Sequence, residues 1–124
     1  MEKHRIFIVE DDPKIASLLA DTLRKYQYDV ETIREFETLI EQCMAFSPHL
    51  ILLDYSMPEM DGRQALELIR ADADLKTIPV IFLTSMADKE IVSEILKLKP
   101  EGYLLKPPSS EQLLSQIESV LKTI

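Results

Sequence analysis

Short apolar runs and segments of helical periodicity alternate five times along the chain. Ile6-Phe7-Ile8-Val9 is the first run, and its unbroken apolar character suits a strand covered on both faces. Asp12-Pro13 then reads as a helix N-cap followed by a proline in the first turn, where no amide hydrogen is needed. The helix after it carries Ile15, Leu18, Leu19, Leu23 and Tyr26 on one stripe. Residues 28–33 alternate apolar and polar positions, which predicts an edge strand. Phe36, Leu39, Ile40, Cys43 and Met44 return to helical spacing, and Pro48 stops that helix. Leu50-Ile51-Leu52-Leu53 is the third run and leads straight into Asp54. A stiff turn with Pro58 follows, closed by Asp61-Gly62.

Beyond Gly62 the spacing predicts a helix with Ala65, Leu66 and Ile69 inward, then a polar loop over 72–77. Pro79 introduces the fourth run, Val80-Ile81-Phe82-Leu83. Residues 88–98 are helical, with Ile91, Val92, Ile95, Leu96 and Leu98 covering more than one narrow face. Pro100 ends that helix, Gly102 turns the chain, and Tyr103-Leu104-Leu105 is a short fifth strand. Ser109 or Ser110 caps a last helix bearing Leu113, Leu114, Ile117, Val120 and Leu121. Five strand–helix repeats predict an α/β fold: a doubly wound, five-stranded parallel sheet of order 2-1-3-4-5 with helices on both faces. No internal repeat or linker interrupts the pattern, so one domain is expected over 1–124.

Composition narrows the class without changing that picture. Hydrophobic residues make up 46% and charged residues 29%, as expected of a soluble domain with a true core. No apolar run approaches the roughly 18 residues of a membrane span, and the four apolar residues near the N-terminus are too few for a signal peptide. The net charge of -8 argues against nucleic-acid binding by this segment. The single cysteine, Cys43, lies on an apolar helix stripe, rules out an internal disulfide and fits a cytoplasmic setting. His4 and His49 flank strands without metal-ligand spacing.

Candidate chemistry collects at the strand ends. In a doubly wound sheet the carboxyl ends of the strands converge on a crevice. Here the runs end in Glu10-Asp11-Asp12, Asp54, Thr84-Ser85 and Lys106-Pro107. Taken singly, these are helix-start acidity, a turn aspartate, a helix cap and a solvated lysine. Together they describe one site. Two carboxylates about 5 Å apart repel by roughly 3 kcal/mol at an effective dielectric of 20, so Glu10, Asp11 and Asp54 call for a cation. Hard oxygen ligands suit Mg²⁺, with Mn²⁺ as a substitute, and with Lys106 the charges balance. Such a site fits phosphoryl transfer. Asp54 would serve as carboxylate nucleophile, Lys106 would shield the phosphoryl oxygens, and Thr84 would hydrogen-bond one of them.

These residues resemble the receiver domain of two-component response regulators. The resemblance rests on Val9-Glu10-Asp11-Asp12, on the run from Leu53-Asp54 through Met57-Pro58-Glu59-Met60-Asp61-Gly62, on Leu83-Thr84-Ser85, and on Gly102-Tyr103-Leu104-Leu105-Lys106-Pro107. It covers the whole chain and implies a flavodoxin- or CheY-like (βα)5 fold. It further implies that Asp54 accepts a phosphoryl group from a sensor histidine kinase or a phosphotransfer protein. Glu10, Asp11, Asp54 and the Ser56 backbone carbonyl would hold Mg²⁺. Thr84 and Tyr103 match the family's switch pair, Ser85 would touch the phosphoryl group, and Lys106-Pro107 matches a peptide that is usually cis. Ser56 and Met86 occupy positions that tune dephosphorylation. The output would pass to an effector through the face built from 88–98, 103–105 and the last helix. The resemblance allows a phosphorylation-dependent homodimer and implies no membrane partner. It makes the chain a regulatory domain that catalyses only its own phosphoryl transfer and dephosphorylation.

The chain departs from the family at several points. Pro108 replaces a common Phe, which bears on the start of the last helix, and Lys99-Pro100-Glu101-Gly102 replaces Gly-Ala-Asp-Asp. Gln116 stands where one DNA-binding subfamily carries Arg, which puts that subfamily's dimer contacts in doubt. Two other functions share parts of the pattern. A phosphatase acting through an aspartyl phosphate needs a second Asp two residues after the nucleophile, where this chain has Ser56. A flavodoxin-like FMN binder needs a Gly/Ser/Thr-rich phosphate loop, whereas this rim is acidic.

Overall fold

The computed structural model describes residues 3–57, 59–85 and 89–122. Strands β1 (Arg5–Val9), β2 (Asp29–Ile33), β3 (Leu50–Asp54), β4 (Val80–Thr84) and β5 (Gly102–Leu105) alternate with helices α1 (Pro13–Lys25), α2 (Leu39–Phe46), α3 (Gly62–Ala71), α4 (Lys89–Lys97) and α5 (Ser110–Lys122). The five strands form one parallel sheet in the order β2-β1-β3-β4-β5. The expectations for Pro58 in the turn, for Met86 and for a helix start at Asp88 lie outside the described residues.

The period-two geometry of the strands divides the core between two faces. Ile6, Ile8, Leu50, Leu52, Ile81 and Leu83 pack with α1 and α5 through Leu19, Leu23, Leu113 and Ile117. Phe7, Val9, Ile51, Leu53, Val80 and Phe82 pack on the opposite face with Leu39, Cys43, Ala65, Leu66, Ile69 and Ile95. Helices on both faces explain why β3 and β4 carry apolar residues continuously rather than alternately. Cys43 is fully buried, and burial pushes its thiol up to about 12, so it behaves as core.

Helix boundaries follow local chemistry. Asp12 caps α1 by accepting from the Lys14 and Ile15 amides. Asp61 and Gln64 form a reciprocal capping box at α3. Ser109 and Gln112 do the same for α5, so Pro108 leaves a regular helix start behind it. Three sequence expectations need correction. Leu18 and Tyr26 are exposed, because Ala16 and Ala20 share the inward face of α1 with Leu19 and Leu23. Phe36 is buried but precedes α2, and Met44 points outward. The turn before β5 is made by Lys99 at φ 54, not by Gly102, which is already strand. A Cβ at Gly102 would meet the end of the Gln116 side chain, which would have to swing aside.

Gly62 is fixed by space. A Cβ at this first residue of α3 would lie 2.7 Å from Phe82 Cε1 and 2.8 Å from Tyr55 Cδ1. Gly62→Ala is therefore expected to destabilise the fold by about 2 kcal/mol through overpacking, despite alanine's better helix propensity. Urea unfolding at equilibrium measures it, and a neutral or stabilising result would show that both rings can yield.

Candidate functional site: a carboxylate cluster at the carboxyl ends of the strands

The strand register assembles the site. Val9 pairs with Leu53 between β1 and β3, so Glu10 comes level with Asp54 one residue further on. Thr84 pairs with Leu105, so Lys106 follows at the end of β5 and donates its amide to the Thr84 carbonyl at 2.7 Å. Carboxylate oxygens of Glu10, Asp11 and Asp54 all lie within 4.8 Å of one another. Glu10 and Asp54 are fully buried, and Thr84 is 1% exposed at the tip of β4. Asp11 is half-buried and the Lys106 side chain is only 10% exposed, whereas Ser85 and Ser56 are exposed.

Lys106 bridges the two buried acids. Its Nζ lies 2.9 Å from Glu10 Oε1 and 3.1 Å from Asp54 Oδ1. The other Glu10 oxygen accepts from the Asp12 amide at 3.2 Å. The Ser56 amide donates to Asp54 Oδ1 at 3.1 Å, which fixes the carboxylate over the turn. That turn is closed by a bridge between Ser56 and Asp61 and by a 2.6 Å bond from the Gly62 amide to the Tyr55 carbonyl. The Lys106-Pro107 peptide is cis.

One lysine does not neutralise three carboxylates. Burial, reinforced by the Glu10 carboxyl beside it, pushes Asp54 up to about 8 against the pull of Lys106. Burial would also raise Asp11, but hydrogen bonding with Glu10 and Asp54, together with Lys106, outweighs it and holds Asp11 below its ordinary value. Burial alone would lower Lys106, yet its bonds to Glu10 and Asp54 raise it. Among the described residues, Asp54 Oδ2 is buried with no hydrogen-bond partner. An orphaned acceptor next to two further carboxylates fits a hard divalent cation such as Mg²⁺, which takes oxygen ligands. Asp11 also lines a cavity of about 130 Å³ with Arg34, Phe36 and Met57.

Comparison with known proteins places this geometry in a family. The model of the response regulator receiver domain matches residues 6–118. The chain belongs to that family. Receiver domains are the regulatory modules of two-component systems, and the acidic cluster Glu10, Asp11 and Asp54 fits their use of Mg²⁺. The receiver is 33% identical over 116 residues to hybrid signal transduction histidine kinase D of Dictyostelium discoideum, covering 94% of this chain and 7% of that protein. A solved structure assigned as a response regulator from Chloroflexus aurantiacus superposes with a TM-score of 0.90 at 26% identity, covering 98% of this chain and 99% of that one. The chemotaxis response regulator CheY4 of Vibrio cholerae gives 0.87 at 25% identity, over 96% and 99%. The first curated relatives are longer, and the chain spans about half of their length or less. Among the described residues, no helix is long and apolar enough to cross a membrane.

The structure brings Glu10, Asp11, Asp54, Thr84 and Lys106 of the receiver to one end of the sheet, as their positions after the apolar runs imply. Tyr103 lies half-buried on β5 against the core. Two contacts escape sequence reading. The Tyr55 hydroxyl donates to Glu94 Oε2 of α4 at 2.9 Å, with the phenol pushed up to about 12 by burial and then by Glu94. Arg70 of α3 holds the Lys76 and Ile78 carbonyls and pairs with Glu101 at 3.0 Å, while Glu101 accepts the Val80 amide. Glu101, one of the family departures, thereby ties the start of β4 to the segment entering β5.

Proposed function

We propose that this receiver is a phosphorylation-activated switch in which Asp54 accepts a phosphoryl group from a sensor histidine kinase or a phosphotransfer protein. The observation that carries the reading is the buried Asp54 carboxyl group, with one oxygen bound by Lys106 and Ser56 and the other without a partner among the described residues. An Asp54 oxygen attacks phosphorus, the bond from phosphorus to the donor breaks, and the leaving group departs with the electron pair. Lys106 balances charge on the phosphoryl oxygens, and Thr84 and Ser85 donate to them. Glu10, Asp11, Asp54 and the Ser56 carbonyl are the groups that would hold Mg²⁺ (or Mn²⁺). When bound, that ion supplies charge neutralisation for the transfer. Dephosphorylation reverses the roles, with water as acceptor, so the domain acts catalytically only on itself.

Once Asp54 has given up its proton to react, the product replaces a carboxylate of charge -1 by a group of about -1.5 to -2. Thr84 and Tyr103 are the groups that would answer this change, moving the surface of α4, β5 and α5 against a downstream effector. That surface retains apolar groups in the open, including Leu96 at 56% and Leu105 at 47% exposure, which suits a protein partner or a phosphorylation-dependent homodimer. A single domain over 1–124 and a cytoplasmic setting belong to the same proposal.

Incubation with acetyl phosphate and Mg²⁺ tests the chemistry. The expected result is a gain of one phosphoryl group by intact mass, lost in hydroxylamine and mapped to Asp54 by borohydride trapping. A hydroxylamine-stable adduct, or one mapped to another residue, would remove Asp54 from its assigned role.

A further inference from the structure

Tyr55 joins the end of β3 to α4 by a route separate from Thr84 and Tyr103. It directly follows Asp54 and is 6% exposed. Its backbone is held on both sides, by the Leu83 carbonyl at 2.8 Å and the Gly62 amide at 2.6 Å. Its ring stands edge-on to Phe82, with centroids 5.4 Å apart and planes at 83°. The closeness of Gly62 to both rings leaves the phenol no slack at its base. The hydroxyl at its far end meets Glu94.

Glu94 sits on a lightly held helix. In α4 only Ile95 is fully buried, with Ile91 and, just past the helix, Leu98 partly buried against the core. One hydrogen bond to a carboxylate is therefore a sizeable part of what fixes α4. A rigid lever anchored next to Asp54, ending on a loosely packed helix, has the parts of a two-state coupling.

We propose that Tyr55 is a positioning residue that transmits the state of the Asp54 carboxylate to α4 through its hydrogen bond to Glu94. The inference rests on Asp54 being the phosphoacceptor. A change of charge on Asp54 shifts the peptide it shares with Tyr55, and the packed ring carries that shift to the hydroxyl. The bond to Glu94 then lengthens or re-forms with α4 displaced. By linkage, a change that favours one position of α4 through this bond must also shift the equilibrium between the two states of Asp54.

Amide hydrogen exchange over residues 89–97 tests this, read with and without acetyl phosphate and Mg²⁺, with the phosphoryl gain followed by intact mass. In the wild-type protein, exchange in α4 is expected to differ between the two conditions. In Tyr55→Phe and Glu94→Ala, α4 is expected to exchange about fivefold faster in the untreated protein, and the difference between conditions to collapse. Glu94→Gln keeps an acceptor oxygen and is expected to keep the wild-type difference. The Tyr55→Phe/Glu94→Ala double variant should be no worse than either single one. If Tyr55→Phe speeds exchange equally in both conditions, or leaves it unchanged, Tyr55 is packing alone and the inference fails. A wild-type protein that gains no phosphoryl group overturns the acceptor assignment as well, and intact mass identifies that case.

Discussion

Asp54→Asn is expected to abolish phosphoryl uptake and at the same time to stabilise the fold, by about 2 kcal/mol near pH 9. Asp54 is fully buried, and its carboxyl is raised from 3.8 to about 8. The folded protein therefore holds a proton that the unfolded chain has already released. Stability contributed by this group is fully present below the unfolded value and is lost as pH rises through the folded one. The asparagine variant has no such loss. Its advantage over the wild type should be small near pH 4 and widest near pH 9, read as urea midpoints across that range. Lys106 retains Glu10 in the variant, so no buried cation is stranded. Mg²⁺ should narrow the gap at high pH by stabilising the wild type more. A gap that stays constant with pH would mean that Asp54 is not the group sharing the proton.

The sequence carried this site because its chemistry is positional. In a parallel sheet covered on both faces, each strand must be apolar, so the first polar residue after each run marks the strand's exit. Glu10, Asp54, Thr84 and Lys106 all stand at or just past such an exit, and the parallel register brings exits together. The inward stripes of α3 and α5 were legible for the same reason. Where reading failed, side chains competed for one face. Ala16 and Ala20 take the inward face of α1 with Leu19 and Leu23, and Leu18 is left in the open. Lys99 takes a left-handed conformation that no local pattern announces. The Tyr55–Glu94 bond spans 39 positions and the Arg70–Glu101 pair 31. Neither pair has a spacing that periodicity can register, and only the packed sheet makes them neighbours.

Lys106→Met gives the largest expected loss of stability. Glu10 is fully buried and Asp54 nearly so, and Lys106 is the cation that both touch, itself only 10% exposed. Removing one member of a buried ionic group leaves the others uncompensated, a change of about 3 kcal/mol that should lower Tm on the order of 10 °C. Phosphoryl uptake from acetyl phosphate is expected to slow by about two orders of magnitude, because the developing charge loses its fixed cation. The loss should be conditional on the carboxylates. Adding Glu10→Gln to Lys106→Met removes one stranded charge, so the double variant is expected to be more stable than Lys106→Met alone. Mg²⁺ should return part of the stability of Lys106→Met but little of its rate, since the lysine's place beside the phosphoryl oxygens stays empty of charge. Thermal unfolding of the set, with and without Mg²⁺, separates these effects. At pH 9, where Asp54 has released its proton, equal stability of Lys106→Met and the wild type would show that the buried acids do not need Lys106.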